Sequence, residues 1–376
     1  MLDDNILCKG KIMRKAKIIA TVGPACASED VLEGMARAGV SAFRFNMSHG
    51  DYASHGEIID NVKAVRERLG ISLPIIVDTK GPEIRIGQFA NGSVTLAPNG
   101  VFILTTQAVI GDEKRVSVTY PNLPQVVGQG SKILINDGLT ELEVIKTTSN
   151  EIYTKVISGG VLSNNKSINL PGIHIDLPYL SLQDKKDISF ALSKDADFLA
   201  LSFVRTPNDV KEIREYLTRL GETEIKIISK IENQEGITNI DRIIDVSDGI
   251  MVARGDMGVE IAFEKLPQIQ KAIIKKCREK GKLVVVATEM LESMITNSRP
   301  TRAEISDVAN AILDGADAVM LSGETSVGKN PQLVVGVMDK IVKESENAIE
   351  QNINEFNTSI ENLPSGEADC DSITSG

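Results

Sequence analysis

The sequence predicts an α/β protein, a (β/α)8 TIM barrel with a small antiparallel β domain inserted after its third strand. Three observations predict it. Eight short runs of β-branched or apolar residues recur, most of them followed by a longer amphipathic stretch, which is the text of repeated strand-helix units around a parallel sheet. The rhythm breaks once, between the third run and the fourth, where the text turns to short alternating segments. Charged and small polar residues gather at the ends of the runs, the place where barrels of this class carry their functional groups.

Taken in order, the runs are KIIATVG (17–23), SAFRFNM (41–47), PIIVDTKG (74–81), FLALSFV (198–204), KIISKIE (226–232), GIMVARG (249–255), LVVVATEM (283–290) and AVMLSG (318–323). The insertion is SVTLAPNG, RVSVTYPN, KILINDGLTELEVI and EIYTKVI, split by Asn-Gly, Pro-Asn and Asp-Gly turns. Residues 1–85 are therefore expected to form the first part of the barrel, 86–176 a β lid over its mouth, and 177–352 the second part. The polar, Ser/Asn/Gly-rich text of 353–376 predicts a disordered tail.

Across 376 residues, 41 Lys and Arg stand against 52 Asp and Glu, a net charge of −11. That balance argues against a general nucleic-acid or anionic-membrane binder and leaves room for a local basic cleft. Cys8, Cys26, Cys277 and Cys370 are far apart with no CxxC spacing, which predicts reduced thiols and a cytoplasmic protein. No run approaches the length of a membrane span, and the first residues lack the apolar core of a signal peptide.

The chemistry concentrates in IISKIENQEG (227–236) and IMVARGDMGVEI (250–261). Each is an apolar run ending in charge at a glycine-marked bend, so neighbouring strand tips should deliver Lys230, Glu232 and Asp256. Two carboxylates and an ammonium suit Mg2+ or Mn2+ with a phosphate. The second and third runs end in FRFNMSHG and DTKGPEIR, placing Arg44, Asn46, Ser48, Asp78, Thr79 and Arg85 at adjacent tips. Their oxygens suit a monovalent cation and their arginines suit phosphate. The GDMG turn can act as an anion nest or merely as a glycine turn with Asp256 as its N-cap. Thr288, Ser322 and Glu324 end the last two strands, and Thr301 with Glu304 in PTRAE forms a capping box at a helix start. GETSVGKN (323–330) nearly matches a phosphate-binding loop, but Asn330 replaces the magnesium-binding hydroxyl and Pro331 reads as a first helical residue.

In this order FRFNMSHG, DTKGPEIR, NLPG, SKIENQEG, MVARGDMGVEI, ATEMLESM, RPTRAEISDVANA and MLSGET resemble the motifs of the pyruvate kinase family, over about 15–351. The resemblance implies transfer of a phosphoryl group from phosphoenolpyruvate to ADP, giving pyruvate and ATP. It implies Glu232 and Asp256 as ligands of Mg2+ or Mn2+, and Asn46, Ser48, Asp78 and Thr79 as ligands of K+, with Glu83 matching the potassium-dependent form. Lys230 then resembles the cation that stabilises the transferring phosphoryl group and the enolate, with Arg44 and Arg85 as phosphate clamps. The amides of Gly255 and Asp256 and the Thr288 hydroxyl resemble the carboxylate and enolate seat. Ser322 and Glu324 are implied in proton relay to the enolate carbon, and Pro24, His49 and the lid's Lys166 in nucleotide binding beside Asn46 and Arg85.

The chain departs from the family pattern at Glu289, usually glutamine, at Ala262-Phe263, usually a proline-containing pair, and at Asn136, usually an acid. Family members are also expected to continue into a C-terminal α/β domain that this chain does not include. Two alternatives accompany the reading: a catalytically weak regulatory or assembly subunit, and a related metal-dependent enolate-handling barrel enzyme that does not use ADP. Association as a homo-oligomer, a dimer or more through the barrel face near helix six and PTRAE, is a further expectation.

Overall fold

Each of the eight runs forms a strand in the computed structural model, which describes residues 14–361. They are β1 (Lys17–Thr21), β2 (Ala42–Asn46), β3 (Ile75–Asp78), β4 (Phe198–Leu201), β5 (Lys226–Ile231), β6 (Gly249–Ala253), β7 (Leu283–Ala287) and β8 (Ala318–Leu321). All pair in parallel, in the closed order β1-β8-β7-β6-β5-β4-β3-β2. Strand side chains alternate between two faces. One set, including Ile18, Phe43, Val77, Leu199 and Ile227, packs outward against the helices as the main core. The other set, including Ile19, Ala42, Ile76, Ala200, Ile228 and Met251, forms an apolar plug inside the barrel.

The helices start where local chemistry caps them. Thr301 accepts from the Glu304 amide in the expected capping box, and further boxes begin the helices Tyr52–Leu69, Leu182–Ser193 and Pro207–Arg219. Pro331 opens the last helix as its sequence position predicts. That helix runs to Glu361, past the expected boundary at 352. Ile353, Phe356 and Ile360 keep helical spacing and no Pro or Gly intervenes before Pro364, so the polar composition misled. The remainder of the expected tail, 362–376, lies outside the described residues, as do Cys8 and Cys370.

The insertion folds on a core of its own, including Phe102, Leu104, Ile133, Leu142 and Ile152. Its main sheet has seven strands, in the order Ile84–Arg85, Ser167–Asn169, Lys132–Ile135, Thr140–Thr147, Glu151–Ser158, Val101–Thr105 and Arg115–Ser117. All neighbours are antiparallel except the last pair, which is parallel. Pairing of Ile84–Arg85 with Ser167–Asn169 starts this domain slightly before 86, and Leu177 still packs on its core beyond 176. The outgoing stem passes close over β4: at Gly81, with φ +70°, an added Cβ would lie 2.6 Å from the Ser202 carbonyl oxygen, so only glycine fits.

Candidate active site

The alternation that builds the apolar plug also builds the site. Two residues beyond the inward Ile19, Ala42, Ile76, Ala200 and Ile228 come Thr21, Arg44, Asp78, Ser202 and Lys230, so a polar layer caps the plug at the C-terminal ends of the strands. Arg44 Nε donates to Asp78 Oδ2 at 2.6 Å and its Nη1 to Thr21 Oγ1 at 3.0 Å. Lys230 Nζ donates to Ser202 Oγ at 2.7 Å and to Asp78 Oδ1 at 3.2 Å, and Ser202 in turn donates to Asp78 Oδ1 at 3.0 Å. All of these side chains are buried. Burial opposes the charge on Lys230, yet Asp78 and Glu232 outweigh it and raise its pKa. Burial likewise opposes charge on Asp78, but Arg44 and Lys230 hold its pKa below the usual carboxylate range.

Glu232 is buried one step beyond β5. The Phe203 amide donates to its Oε2 at 2.5 Å, and that aromatic residue adopts φ +55°, a left-handed conformation rare for a bulky side chain. Glu232 Oε1 lies 2.9 Å from Lys230 Nζ, off hydrogen-bonding geometry, and has no hydrogen-bond partner. Burial pushes the Glu232 carboxyl up to about 7, with Asp256 adding to the effect and Lys230 opposing it. An orphaned buried carboxylate oxygen beside a second carboxylate fits a divalent cation. Among the described residues no three His, Cys, Asp or Glu groups form a metal cage.

The expected GDMG turn is instead the first turn of a short helix, Arg254–Glu260, whose N-cap is Ala253 and not Asp256. Gly255 N donates to Thr288 Oγ1 at 2.7 Å, so the proposed carboxylate seat and the threonine are in direct contact. Asn46 and Asp78 are register partners across β2 and β3, with Thr79 buried next to them and the Ser48 amide bonded to Asn46 Oδ1 at 3.1 Å. A monovalent cation at these tips would share the Asp78 carboxylate with Arg44.

Between barrel and lid lies a cleft of about 620 Å³ lined by Asn46, Ser48, His49, Glu83, Arg85, Lys166, Lys230 and Asp256. Arg85 pairs with Glu83 at 2.7 Å and donates to the Asn165 carbonyl at 2.5 Å, which ties the incoming stem of the lid to its Lys166 loop. Partial burial, then the cations Arg85 and Arg44, lower the pKa of His49. His55 holds the His49 carbonyl oxygen at 2.7 Å. Asn136 and Asp137 have φ values of 57° and 55° in the turn beside the cleft, a conformation that asparagine tolerates well, so Asn136 suits its position.

Other expected residues stand apart from this cleft lining. Pro24 is exposed at the start of a short 3-10 turn after β1. Glu324 is fully buried, its carboxylate accepting from the Leu291 amide at 3.0 Å and the Ser322 amide at 2.6 Å, so it ties the β7 and β8 tips together. Ser322 Oγ is buried without a partner. In the near P-loop text, Gly323–Ser326 is helical, and Gly328 packs so closely that a Cβ would meet the Glu324 carbonyl oxygen at 2.1 Å. Sequence reasoning passed over Ser202 and Phe203, which hold Lys230, Asp78 and Glu232. The two-residue strand period, continued past Ala200, is the signal that finds Ser202.

Fold and site together define a lidded (β/α)8-barrel protein with a buried lysine-carboxylate centre at its C-terminal mouth. Residues 13–335 match the family described as "Pyruvate kinase, barrel domain". A pyruvate kinase of Bacillus licheniformis is 50% identical over 339 residues, covering 90% of this chain and 58% of that one. One from Clostridium perfringens is 46% identical over 90% of this chain and 72% of its own length. The crystal structure of a pyruvate kinase from Cryptosporidium parvum superposes with a TM-score of 0.87 at 42% identity, covering 94% of this chain and 74% of that chain. The chain belongs to the pyruvate kinase family, and it spans 58% of the length of the first curated relatives it matches. Among the described residues no helix is long and apolar enough to cross a membrane.

Proposed function

We propose that the chain transfers the phosphoryl group of phosphoenolpyruvate to ADP, giving pyruvate and ATP, as a cytoplasmic enzyme of glycolysis. The observation that carries this reading is the placement of Lys230. Its ammonium is held by Asp78, Ser202 and Glu232 at the floor of a cleft whose other wall carries Arg85 and the lid's Lys166.

Phosphoryl transfer demands positioning and charge neutralisation more than covalent chemistry. Lys230 and Arg44, oriented by Asp78, present fixed positive charge to the transferring group and to the enolate oxygen left behind. Glu232 and Asp256 would hold Mg2+ or Mn2+, which supplies Lewis-acid polarisation of the phosphoryl oxygens when bound. The Asp256 amide, with the Thr288 hydroxyl that the Gly255 amide holds in place, orients the substrate carboxylate. Asn46, Ser48, Asp78 and Thr79 would hold K+ near the phosphate. Asn46, His49, Arg85 and Lys166 line the cleft that would receive the nucleotide, with Pro24 on the turn after β1 outside that lining. Ser322, whose Oγ has no hydrogen-bond partner, would serve the proton that reaches the enolate carbon, with Glu324 holding the Ser322 amide in place.

A coupled assay with phosphoenolpyruvate, ADP, Mg2+ and K+ tests the reading: pyruvate should form at a rate set by the chain, and a folded chain that forms none refutes it. Activity should depend on K+, with Glu83 as the supporting residue, and full turnover in a sodium-only buffer would remove that part. Exposed Phe263, Ile305 and Leu313 support self-association through the barrel face, which a monomeric mass in solution would overturn.

A further inference from the structure

Arg254 belongs to the same short helix as Asp256, yet its side chain turns toward the β7 tip. Its Nη1 reaches Asp307 Oδ1 and Oδ2 at 2.7 and 2.6 Å, on the helix Arg302–Leu313. Its Nη2 donates to the Thr288 carbonyl oxygen at 2.6 Å and lies 2.9 Å from Met290 Sδ, and its Nε is 3.4 Å from the Ala287 carbonyl oxygen. One largely buried guanidinium thus ties three consecutive barrel elements together.

What it holds is an unusual turn. Thr288 and Glu289 have φ values of +70° and +53°, two consecutive non-glycine residues in the left-handed region, the first of them β-branched. Such a conformation persists only where its surroundings over-determine it. The turn aims Thr288 Oγ1 at the Gly255 amide, 2.7 Å away. Without the guanidinium the Thr288 carbonyl loses its donor, and the relaxed backbone would carry the hydroxyl away from the β6 tip.

We propose that Arg254, anchored by Asp307, is a positioning residue that holds the strained Thr288-Glu289 turn and so fixes the Thr288 hydroxyl against the Gly255 amide. The consequence for turnover rests on the function proposed above; the geometric claim does not. A planar fork with several donors is required, because a lysine ammonium cannot bridge a carboxylate and two carbonyl oxygens in this arrangement.

Arg254→Met, Arg254→Lys and Asp307→Asn test it through steady-state kinetics, hydrogen exchange and thermal unfolding. The expected result is a loss of at least tenfold in kcat for Arg254→Met, with the KM for phosphoenolpyruvate changed less than threefold and smaller kcat losses for the other two. Exchange protection should fall at residues 253–257 and 285–291 and be retained elsewhere in the barrel. Unchanged protection at those segments in the folded variants overturns the proposal, as does loss spread over the whole barrel or a kcat within threefold of the parent. If Arg254→Met does not fold, the other two variants decide by the same criteria. If the parent chain turns over no substrate, the proposed function fails and the exchange pattern alone decides the role of Arg254.

Discussion

The two walls of the cleft hold their charges in opposite ways. On the barrel side Arg44, Asp78, Lys230 and Glu232 are buried at strand tips and interlocked through short contacts. On the lid side Arg85 and Lys166 are half-buried and the Arg85 pair with Glu83 remains partly open to solvent, while His49, on the barrel loop after β2, stands at the rim between them. The difference teaches a division of labour. Side chains on packed strands keep one geometry, as stabilisation of developing charge requires. Side chains on partly exposed loops can adjust to a ligand that arrives and leaves.

That contrast is broken most sharply at Lys230. Lys230→Met should lower kcat by roughly a hundredfold or more, by analogy with loss of a single oxyanion donor. It should also destabilise the fold by about 3–5 kcal/mol, since Asp78 and Glu232 lose their cation in a buried setting. Kinetics and denaturant unfolding measure both, and a loss under tenfold with unchanged stability would deny that the barrel wall is rigid machinery.

Glu232 gives the next largest effect, read as metal affinity. Glu232→Gln should weaken Mn2+ binding by at least about tenfold, taking the effect of outer-sphere mutations as a lower bound. A proton competes with the metal for this carboxylate, whose pKa is pushed up to about 7. Mn2+ affinity of the parent should therefore fall as pH drops below about 7, and the Gln variant should lack that dependence. Titration of bound Mn2+ across pH checks it; an identical pH profile in both proteins would assign the proton elsewhere.

Lys166→Ala, on the lid side, should give the smallest change: a rise of about tenfold or less in the KM for ADP, with kcat close to the parent, as expected when binding is lost equally in ground and transition states. A kcat loss comparable to that of Lys230→Met would erase the distinction between the walls.

Much of the architecture was legible because it follows from local rules. The strand period marked all eight barrel strands, turn dipeptides marked the inserted domain, and Thr301 with Glu304 marked a helix start. Lys230, Glu232 and Asp256 were legible because a charge at the tip of a buried strand must meet an opposite charge, a metal or a ligand to offset its lost hydration. Ser202, Phe203 and Arg254 were not, because their meaning lies in partners distant in sequence: Asp78 for the first, the Glu232 carboxylate for the second, Asp307 and Thr288 for the third. The end of the last helix was missed because its polar residues mask a helical spacing of Ile353, Phe356 and Ile360.

The interlocked strand-tip charges have a consequence for the order in which the site fills. Arg44 and Lys230 carry two positive charges, and Asp78, Glu232 and Asp256 three negative ones, so the group carries −1 with its carboxylates ionised. A phosphorylated carboxylate approaching it meets net repulsion, while a divalent cation is drawn in and turns the sum to +1. On the function proposed above, and with Glu232 ionised, this charge balance favours sequential loading, cation first and anionic substrate second, with the substrate's on-rate expected to rise with metal occupancy and flatten at high ionic strength.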